Sequence, residues 1–235
     1  MSEVKLVSVT QPQIEGVATA EELIAYVARV SNPNNQHNMV TAPKLIKYLF
    51  KNNHLSPFEM VHITLEITTT RDIARQILRH RSFTFQEFSQ RYADPTGDLG
   101  FEYREARMQD KKNRQNSVEI THNDGDRGLQ LKDDWEYYQG KVKDAALMAY
   151  KWAIDNGVAK EQARAVLPEG LTVSRMYMSG SLRSWIHYIQ LRDGNGTQKE
   201  HMIVAQQASK IIESQFPALF EALREIENEK NEEVK

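Results

Sequence analysis

One eight-residue stretch limits the fold of this chain more than any other. From Val61 to Thr68, apolar and polar residues alternate without a break: Val61, Ile63, Leu65 and Ile67 against His62, Thr64, Glu66 and Thr68. A period of two buries one face of a strand and leaves the other wet. That predicts an antiparallel strand, because a parallel one reads as a continuous apolar run. Near Thr70 the period changes. Arg71 to Arg79 reads as a helix, with Ile73 and Ile77 inward and Arg71, Arg75 and Arg79 four apart on another face.

The flanking segments extend this pattern. Residues 4–9 predict a short opening strand. Thr19-Ala20-Glu21-Glu22 has capping-box spacing ahead of a helix through Ala28. A second helix is expected over 42–53, with Leu45, Ile46, Tyr48 and Leu49 as its apolar side. Ser56-Pro57-Phe58-Glu59 reads as another capping box, with proline at the tolerated first position and free N–H groups aimed at His54 and Ser56. Residues 94–125 are polar and turn-rich, a surface excursion or lid. A long helix over 126–156 carries Leu129, Leu131, Trp135, Tyr138, Val142, Ala145, Leu147 and Tyr150. A helix near 159–167, a strand over 171–178, helices over 181–191 and 197–215, and a last helix after Pro217 complete the chain. Residues 221–235, with six acids against three bases, read as an acidic, solvated helical tail. The expected class is α+β: one helix-rich domain over residues 1–220 with a central antiparallel sheet.

Composition removes several function classes. With 235 residues, 40% of them hydrophobic, the chain can bury a sizeable core. A formal net charge of −2 disfavours a bulk nucleic-acid binder or a membrane-surface protein, so any basic site is local. No apolar run reaches membrane-spanning length, and the first residues lack a signal-peptide pattern; a soluble, cytoplasmic chain is expected, or one in a host's cytoplasm if viral. There is no cysteine, which excludes disulfides, thiolate nucleophiles and cysteine-ligated metal. His54, His62, His80, His187 and His201 show no metal-ligand spacing, and no metal is expected. Glycine signatures of dinucleotide, P-loop and serine-hydrolase sites are absent.

Chemistry concentrates between Arg79 and Tyr92, in the run Arg79-His80-Arg81-Ser82-Phe83-Thr84-Phe85-Gln86-Glu87-Phe88-Ser89-Gln90-Arg91-Tyr92. Three forked guanidinium groups suit phosphate or carboxylate oxygens, and Glu87 is the one fixed negative charge. The run is expected to leave a helix end and become extended. On residue chemistry alone it fits an anionic, hydrogen-bonding ligand or a basic helix end with a solvated loop. No base is identifiable beside Ser89. A second cluster spans Ser181 to Arg192: Arg183 and His187 are four apart on a helix, and Arg192 sits at its end, where a cation also complements the dipole.

The run from Arg79 to Tyr92 resembles the signature R-H-R-x-x-S-x-N-E-x-S-x-R-Y of the flavin-dependent thymidylate synthases, with Thr84 for serine and Gln86 for asparagine. Further pieces match in order along nearly the whole chain: Ala28-Arg29-Val30-Ser31, His54-x-Ser56-Pro57-Phe58-Glu59, Ala74-Arg75-Gln76, Ala163-Arg164-x-Val166-Leu167-Pro168 and Leu191-Arg192. The resemblance implies that family's fold and a reductive methylation of dUMP to dTMP. Methylenetetrahydrofolate is the carbon donor, FAD the flavin that delivers hydride, and NADPH its reductant. It also implies a homotetramer with active sites at subunit interfaces, with neither nucleic acid nor membrane as partner. With no cysteine to attack the pyrimidine, activation of the ring must be electrostatic. By resemblance Arg192 is the activating, catalytic cation. Gln76, Arg79, Glu87, Phe88, Ser89, Gln90, Arg91, Arg164 and Arg192 match positions that hold dUMP, with Arg91 and Arg164 on the phosphate. His54, Ser56, Glu59, Arg79, His80, Arg81, Glu87, Ser181, Arg183 and His187 match positions around FAD. Ser181 and His187 stand where the family commonly has asparagine. Two other classes stay open: a non-catalytic nucleotide-binding module, and a structural oligomer whose arginines pair with acids at interfaces.

Overall fold

The structure is a computed structural model and describes residues 2–194 and 196–233. In chain order the strands and α-helices are β1 (Glu3–Val9), α1 (Ala20–Ala28), α2 (Ala42–Lys51), β2 (His62–Thr70), α3 (Arg71–Ile77), β3 (Thr84–Glu87) and α4 (Pro95–Asp98). They continue with β4 (Arg107–Gln109), β5 (Ser117–Glu119), α5 (Gly125–Asp155), α6 (Lys160–Ala163), β6 (Val173–Ser181), α7 (Leu182–Arg192), α8 (Lys199–Gln215) and α9 (Pro217–Glu233).

The alternating stretch becomes β2, a central strand of an antiparallel sheet of order β1-β2-β6-β3. Val61, Ile63, Leu65 and Ile67 are essentially fully buried. Against them pack Ile24 of α1, Ile46 of α2, Ile73 and Ile77 of α3, Trp185 of α7 and Val204 of α8. The large apolar area removed from water there is the main source of stability. Trp185 satisfies its one polar atom by donating Nε1–H to the Ile63 carbonyl at 3.1 Å. The opposite face keeps Lys5, Glu66, Tyr177 and Gln86 in register across all four strands, a wet face of the kind an antiparallel sheet tolerates.

The change of period at Thr70 is a real joint. Thr70 is buried, donates to Asp72 Oδ1 at 2.5 Å and receives a hydrogen bond from Arg104. Phe83 anchors the turn after α3. It lies so close over Gly180 that a Cβ there would stand 2.5 Å from Phe83 Cδ1, and its ring meets Trp185 edge-on at 4.8 Å. Only a residue without a side chain fits beneath it.

Three expectations need correction. Ser56-Pro57-Phe58-Glu59 forms a single 3₁₀ turn with no side-chain cap, not a capped helix. One such turn does not align a third N–H with Ser56, and Glu59 takes a guanidinium partner instead. Tyr48 is exposed, not part of the apolar side of α2. The sequence assigned no buried face to α5; of its large apolar residues only Tyr150 is buried, while Leu129, Leu131, Trp135, Tyr138, Val142 and Leu147 are exposed. Last, the tail expected to be solvated from residue 221 is docked at its start: Ala222 is buried, and Glu225 pairs with Lys47 of α2.

Residues 94–125 hold α4 and the β4–β5 hairpin, and they are stitched to the body by charge. Arg104 contacts Asp72 at 2.6 Å and Glu200 at 3.0 Å; Arg107 contacts Glu200 at 2.6 Å. Gln139 of α5 pins Arg104 in place, accepting from its N–H at 2.6 Å and donating to its carbonyl at 3.0 Å.

Candidate active site

Two distant segments meet at the end of α7. Ser181 caps that helix by accepting from the Ser184 N–H, and the eleven residues from Leu182 carry Arg192 to its last turn. The turn after α3, held down by Phe83, brings His80 to meet it. Arg192 donates Nε–H to His80 Nε2 at 3.0 Å. A guanidinium can only donate, so Nε2 must present a lone pair and His80 is neutral. Burial, together with the charges of Arg192 and Arg79, pushes the His80 pKa down to about 4. Arg192, Arg79 and Arg81 have no carboxylate within ion-pair distance among the described residues. Arg192 and Arg79 both bring positive charge to His80, a local field that favours an anion beside them.

Behind this pair lie Gln76, Tyr188, Gln198 and His201. Gln76 donates to Gln198 Oε1 at 2.9 Å, and its Oε1 stands 3.3 Å from His201 Nδ1. His201 is fully buried, and its Nε2 is 3.1 Å from the Tyr188 hydroxyl. The Tyr188 ring in turn meets His80 edge-on at 4.9 Å.

The other end of the sheet carries a polar recess of about 250 Å³ lined by Arg71, Arg75, Gln90, Arg164 and Glu169. Glu87, at the end of β3, accepts from Ser174 Oγ at 2.8 Å and lies 3.7 Å from Arg71. Arg75 binds Glu169 through two nitrogens and holds its carboxyl below the usual range. The buried Nε2 of Gln90 has no hydrogen-bond partner among the described residues. An orphaned donor in an arginine-lined recess suits an oxyanion. Arg91 points to Glu161 at 3.1 Å on the surface, and Arg164 donates to the Glu161 carbonyl. Phe88 is tied by its N–H to the Arg175 carbonyl, and Ser89 is exposed, with its carbonyl closing the turn to Tyr92.

The remaining expected residues gather at the far end of β6. Arg183 pairs with Glu59 at 2.9 Å, and bonding from Ser181 and Arg183 holds the Glu59 carboxyl below its ordinary range. His54 and Ser56 are exposed, and His54 meets Tyr48 edge-on at 6.2 Å. His187 borders a recess of about 300 Å³ with Phe50, Leu55, Ile186 and Gln190. Arg79 and Arg81, which have no carboxylate partner among the described residues, have the chemistry for phosphate oxygens, and the half-apolar recess beside His187 has that for an aromatic ring system.

Among the described residues these groups lie toward two ends of the sheet. The β2–β6 ladder runs from His62–Ser181 to Thr70–Val173, so its ends lie roughly 26 Å apart at the usual rise of a strand. Glu59, Ser181 and Arg183 sit at one end, and Glu87, Gln90 and Arg164 at the other. Among the described residues there is no group of acids and histidines able to hold a metal, and no helix long and apolar enough to cross a membrane. Arg71, Glu169, Ser174, Tyr188, Gln198, Glu200 and His201 were not legible as site members. Only Arg71 left a trace, as the first of three arginines four apart.

The fold and site define an α+β protein with an open, arginine-rich surface, built without cysteine. Residues 13–218 match the family model described as thymidylate synthase complementing protein. The chain is 49% identical over 219 residues to a probable flavin-dependent thymidylate synthase of Paramecium bursaria Chlorella virus 1, covering 93% of this chain and 97% of that one. It is 47% identical over 224 residues to the flavin-dependent thymidylate synthase of a Synechocystis strain, covering 94% and 99%. Among solved structures it resembles a UMP/dUMP methylase, PolB, from Streptomyces cacaoi bound with 5-Br UMP. There the TM-score is 0.73 and the identity 25%, over 95% of this chain and 94% of that chain. The chain belongs to the flavin-dependent thymidylate synthase family and is an enzyme of that class.

Proposed function

We propose that this enzyme methylates dUMP to dTMP, taking the carbon from methylenetetrahydrofolate with FAD as cofactor and NADPH as reductant. The observation that carries this reading is the Arg192–His80 pair. It presents a guanidinium without a carboxylate partner among the described residues, positioned by a neutral histidine, in a chain with no thiol to attack the ring. Negative charge developing on the N3–C4–O4 system of the uracil needs such a preorganised donor. Arg192 supplies it, and Gln76, Arg79, Glu87, Phe88, Ser89, Gln90, Arg91 and Arg164 orient the nucleotide. The phosphate lies by Arg164 and Arg91, where the orphaned Gln90 donor supports it. Arg79, His80, Arg81, Glu87, Arg183, Glu59, Ser181, His187, His54 and Ser56 hold the flavin, which when bound supplies hydride.

The enzyme works as a homotetramer with active sites at subunit interfaces. The separation of the two residue groups along the sheet supports this, as does the outward apolar surface of α5. The cytoplasmic location expected from the sequence belongs to the same reading.

The test is the visible spectrum of purified protein, followed by assay of dTMP formation with all three co-substrates. A flavin spectrum that changes on adding dUMP, with dTMP produced, is expected. A colourless protein showing no change with added FAD and dUMP would overturn the reading.

A further inference from the structure

A further recess lies between the β4–β5 hairpin and α5. Its volume is about 360 Å³, and it is lined by Arg104, Arg107 and Ser117 of the excursion and by Leu131 and Trp135 of α5. Leu131 and Trp135 are four apart and share a face of the helix. They are 40% and 43% exposed, against 62% and 64% for Tyr138 and Trp152 farther along, because the hairpin stands beside them. Arg107 gives Nη2 to Glu200 at 2.6 Å, while its Nη1 has no hydrogen-bond partner among the described residues. That side chain is only 10% exposed, and an unmatched donor at such a position suits an acceptor brought by a ligand. The carboxylate in the lining, Glu105, is taken by Lys199 at 2.7 Å.

The hairpin closes through residues 110–116, and this tip is held in one shape. Asp110 Oδ1 accepts from the N–H groups of Lys112 at 2.7 Å and Asn113 at 3.1 Å, and its Oδ2 accepts from Asn116 Nδ2 at 2.9 Å. The acid is used up on the tip's own backbone and amide. Lys111, Lys112 and Arg114 are exposed, with no carboxylate within ion-pair distance among the described residues. On a chain of net charge −2 they form a local positive field. Arg107 opens β4 and the tip begins three residues on, about 10 Å along the strand.

We propose that the recess and the hairpin tip bind the tail of the folate co-substrate, with its p-aminobenzoyl ring against Trp135 and Leu131 and its glutamate carboxylates on Lys111, Lys112 and Arg114. Such a tail is a flat ring joined through an amide to a row of carboxylates. The protein offers an aromatic wall, an unmatched donor and a row of cations in the same order. The recess also adjoins the reacting end: Arg107 holds Glu200, and the next residue, His201, lies 6.1 Å from His80 between ring centroids. The proposal rests on the reading of methylenetetrahydrofolate as the carbon donor.

The test has two arms. In the first, the FAD-loaded enzyme is titrated calorimetrically with p-aminobenzoyl-glutamate and with p-aminobenzoyl-pentaglutamate. The longer compound is expected to bind about fivefold more tightly at low salt, the size of two exposed ion pairs, and the difference should close at about 1 M salt. Lys111→Glu combined with Lys112→Glu, at exposed positions, should erase that difference, and Trp135→Ala should weaken both compounds alike, by about fivefold. In the second arm, turnover is compared with monoglutamyl and pentaglutamyl methylenetetrahydrofolate. KM should be lower for the longer donor by the same factor, the advantage should vanish in the double variant, and the flavin spectral titration with dUMP should not move. Equal affinities for the two compounds, or a difference that survives the double charge reversal, would overturn the proposal. Tighter binding of the pentaglutamate with equal KM values for the two donors would also overturn it, as the mark of a separate effector site. Absence of dTMP with either donor would overturn the carbon-donor reading instead, which the titrations, needing no turnover, tell apart.

Discussion

Arg192 donates its Nε–H to His80 Nε2 at 3.0 Å, joining positions 112 residues apart in the chain. The histidine takes one of the five N–H groups of the arginine and leaves the guanidinium's charge uncompensated. The pair defines where charge can be stabilised. It also explains why a histidine between two arginines stays neutral.

Replacing Arg192 with alanine removes that charge. Loss of one preorganised donor to a developing anion costs about 10²–10³ in kcat, so Arg192→Ala should lower dTMP formation by at least that factor. Arg192 is only half-buried, and the melting temperature should stay close to the parent value. Near-normal turnover in a folded variant would remove Arg192 from the activating role.

Ser89 tests the absence of a protein nucleophile. The residue is exposed, and no base lies within hydrogen-bond distance of its hydroxyl among the described residues. Ser89→Ala should retain measurable turnover with a raised KM for dUMP. Complete loss of turnover with dUMP binding preserved would identify Ser89 as a nucleophile.

The ion pairs around α3 should separate by burial. The Arg104 side chain is 13% exposed and holds both Asp72 and Glu200. Arg104→Met leaves those acids short of a partner and should cost about 3–5 kcal/mol in denaturant unfolding. Arg75 and Glu169 are 55% and 47% exposed despite their two-nitrogen contact. Arg75→Ala should cost less than about 1 kcal/mol.

His201 makes stability depend on pH. Its pKa is about 3 when folded and near the ordinary 6.5 when unfolded. The unfolded chain therefore binds more protons between those values, so stability is fully present above about pH 6.5 and is lost as pH falls toward 3. The slope from this group is at most about 1.4 kcal/mol per pH unit. His201→Gln should flatten the fall in melting temperature between pH 6 and pH 4. An unchanged slope would show that His201 is not buried in its neutral form.

Much of the fold was legible because its signals are local. Alternation through Val61–Thr68 marked the central strand, and the spacing of Thr19 and Glu22 marked the start of α1, where both capping hydrogen bonds form. The same local logic misled at Ser56-Pro57-Phe58-Glu59, where capping-box spacing met a competing partner, Arg183, on another element. On α2 it misled at Tyr48, placed on the apolar side by spacing but exposed in the fold. In the site, the arginines announced an anion. Tyr188, Gln198, Glu200 and His201 announced nothing, because a lone histidine, tyrosine or amide has no periodicity to betray its partner.

By itself, the order of residues determined the strand-to-helix joint at Thr70, the family and the exclusion of thiol chemistry, since periodicity, motif order and composition are properties of the chain alone. The tertiary structure alone decided that His80 is neutral against Arg192, that Glu87 answers to Arg71 and Ser174, and that Gln76 lies between Gln198 and His201. Those depend on groups brought together from about 16 to more than 120 positions apart. Hydrogen-bond sense, desolvation and pKa belong to the neighbours in space, and periodicity does not name them.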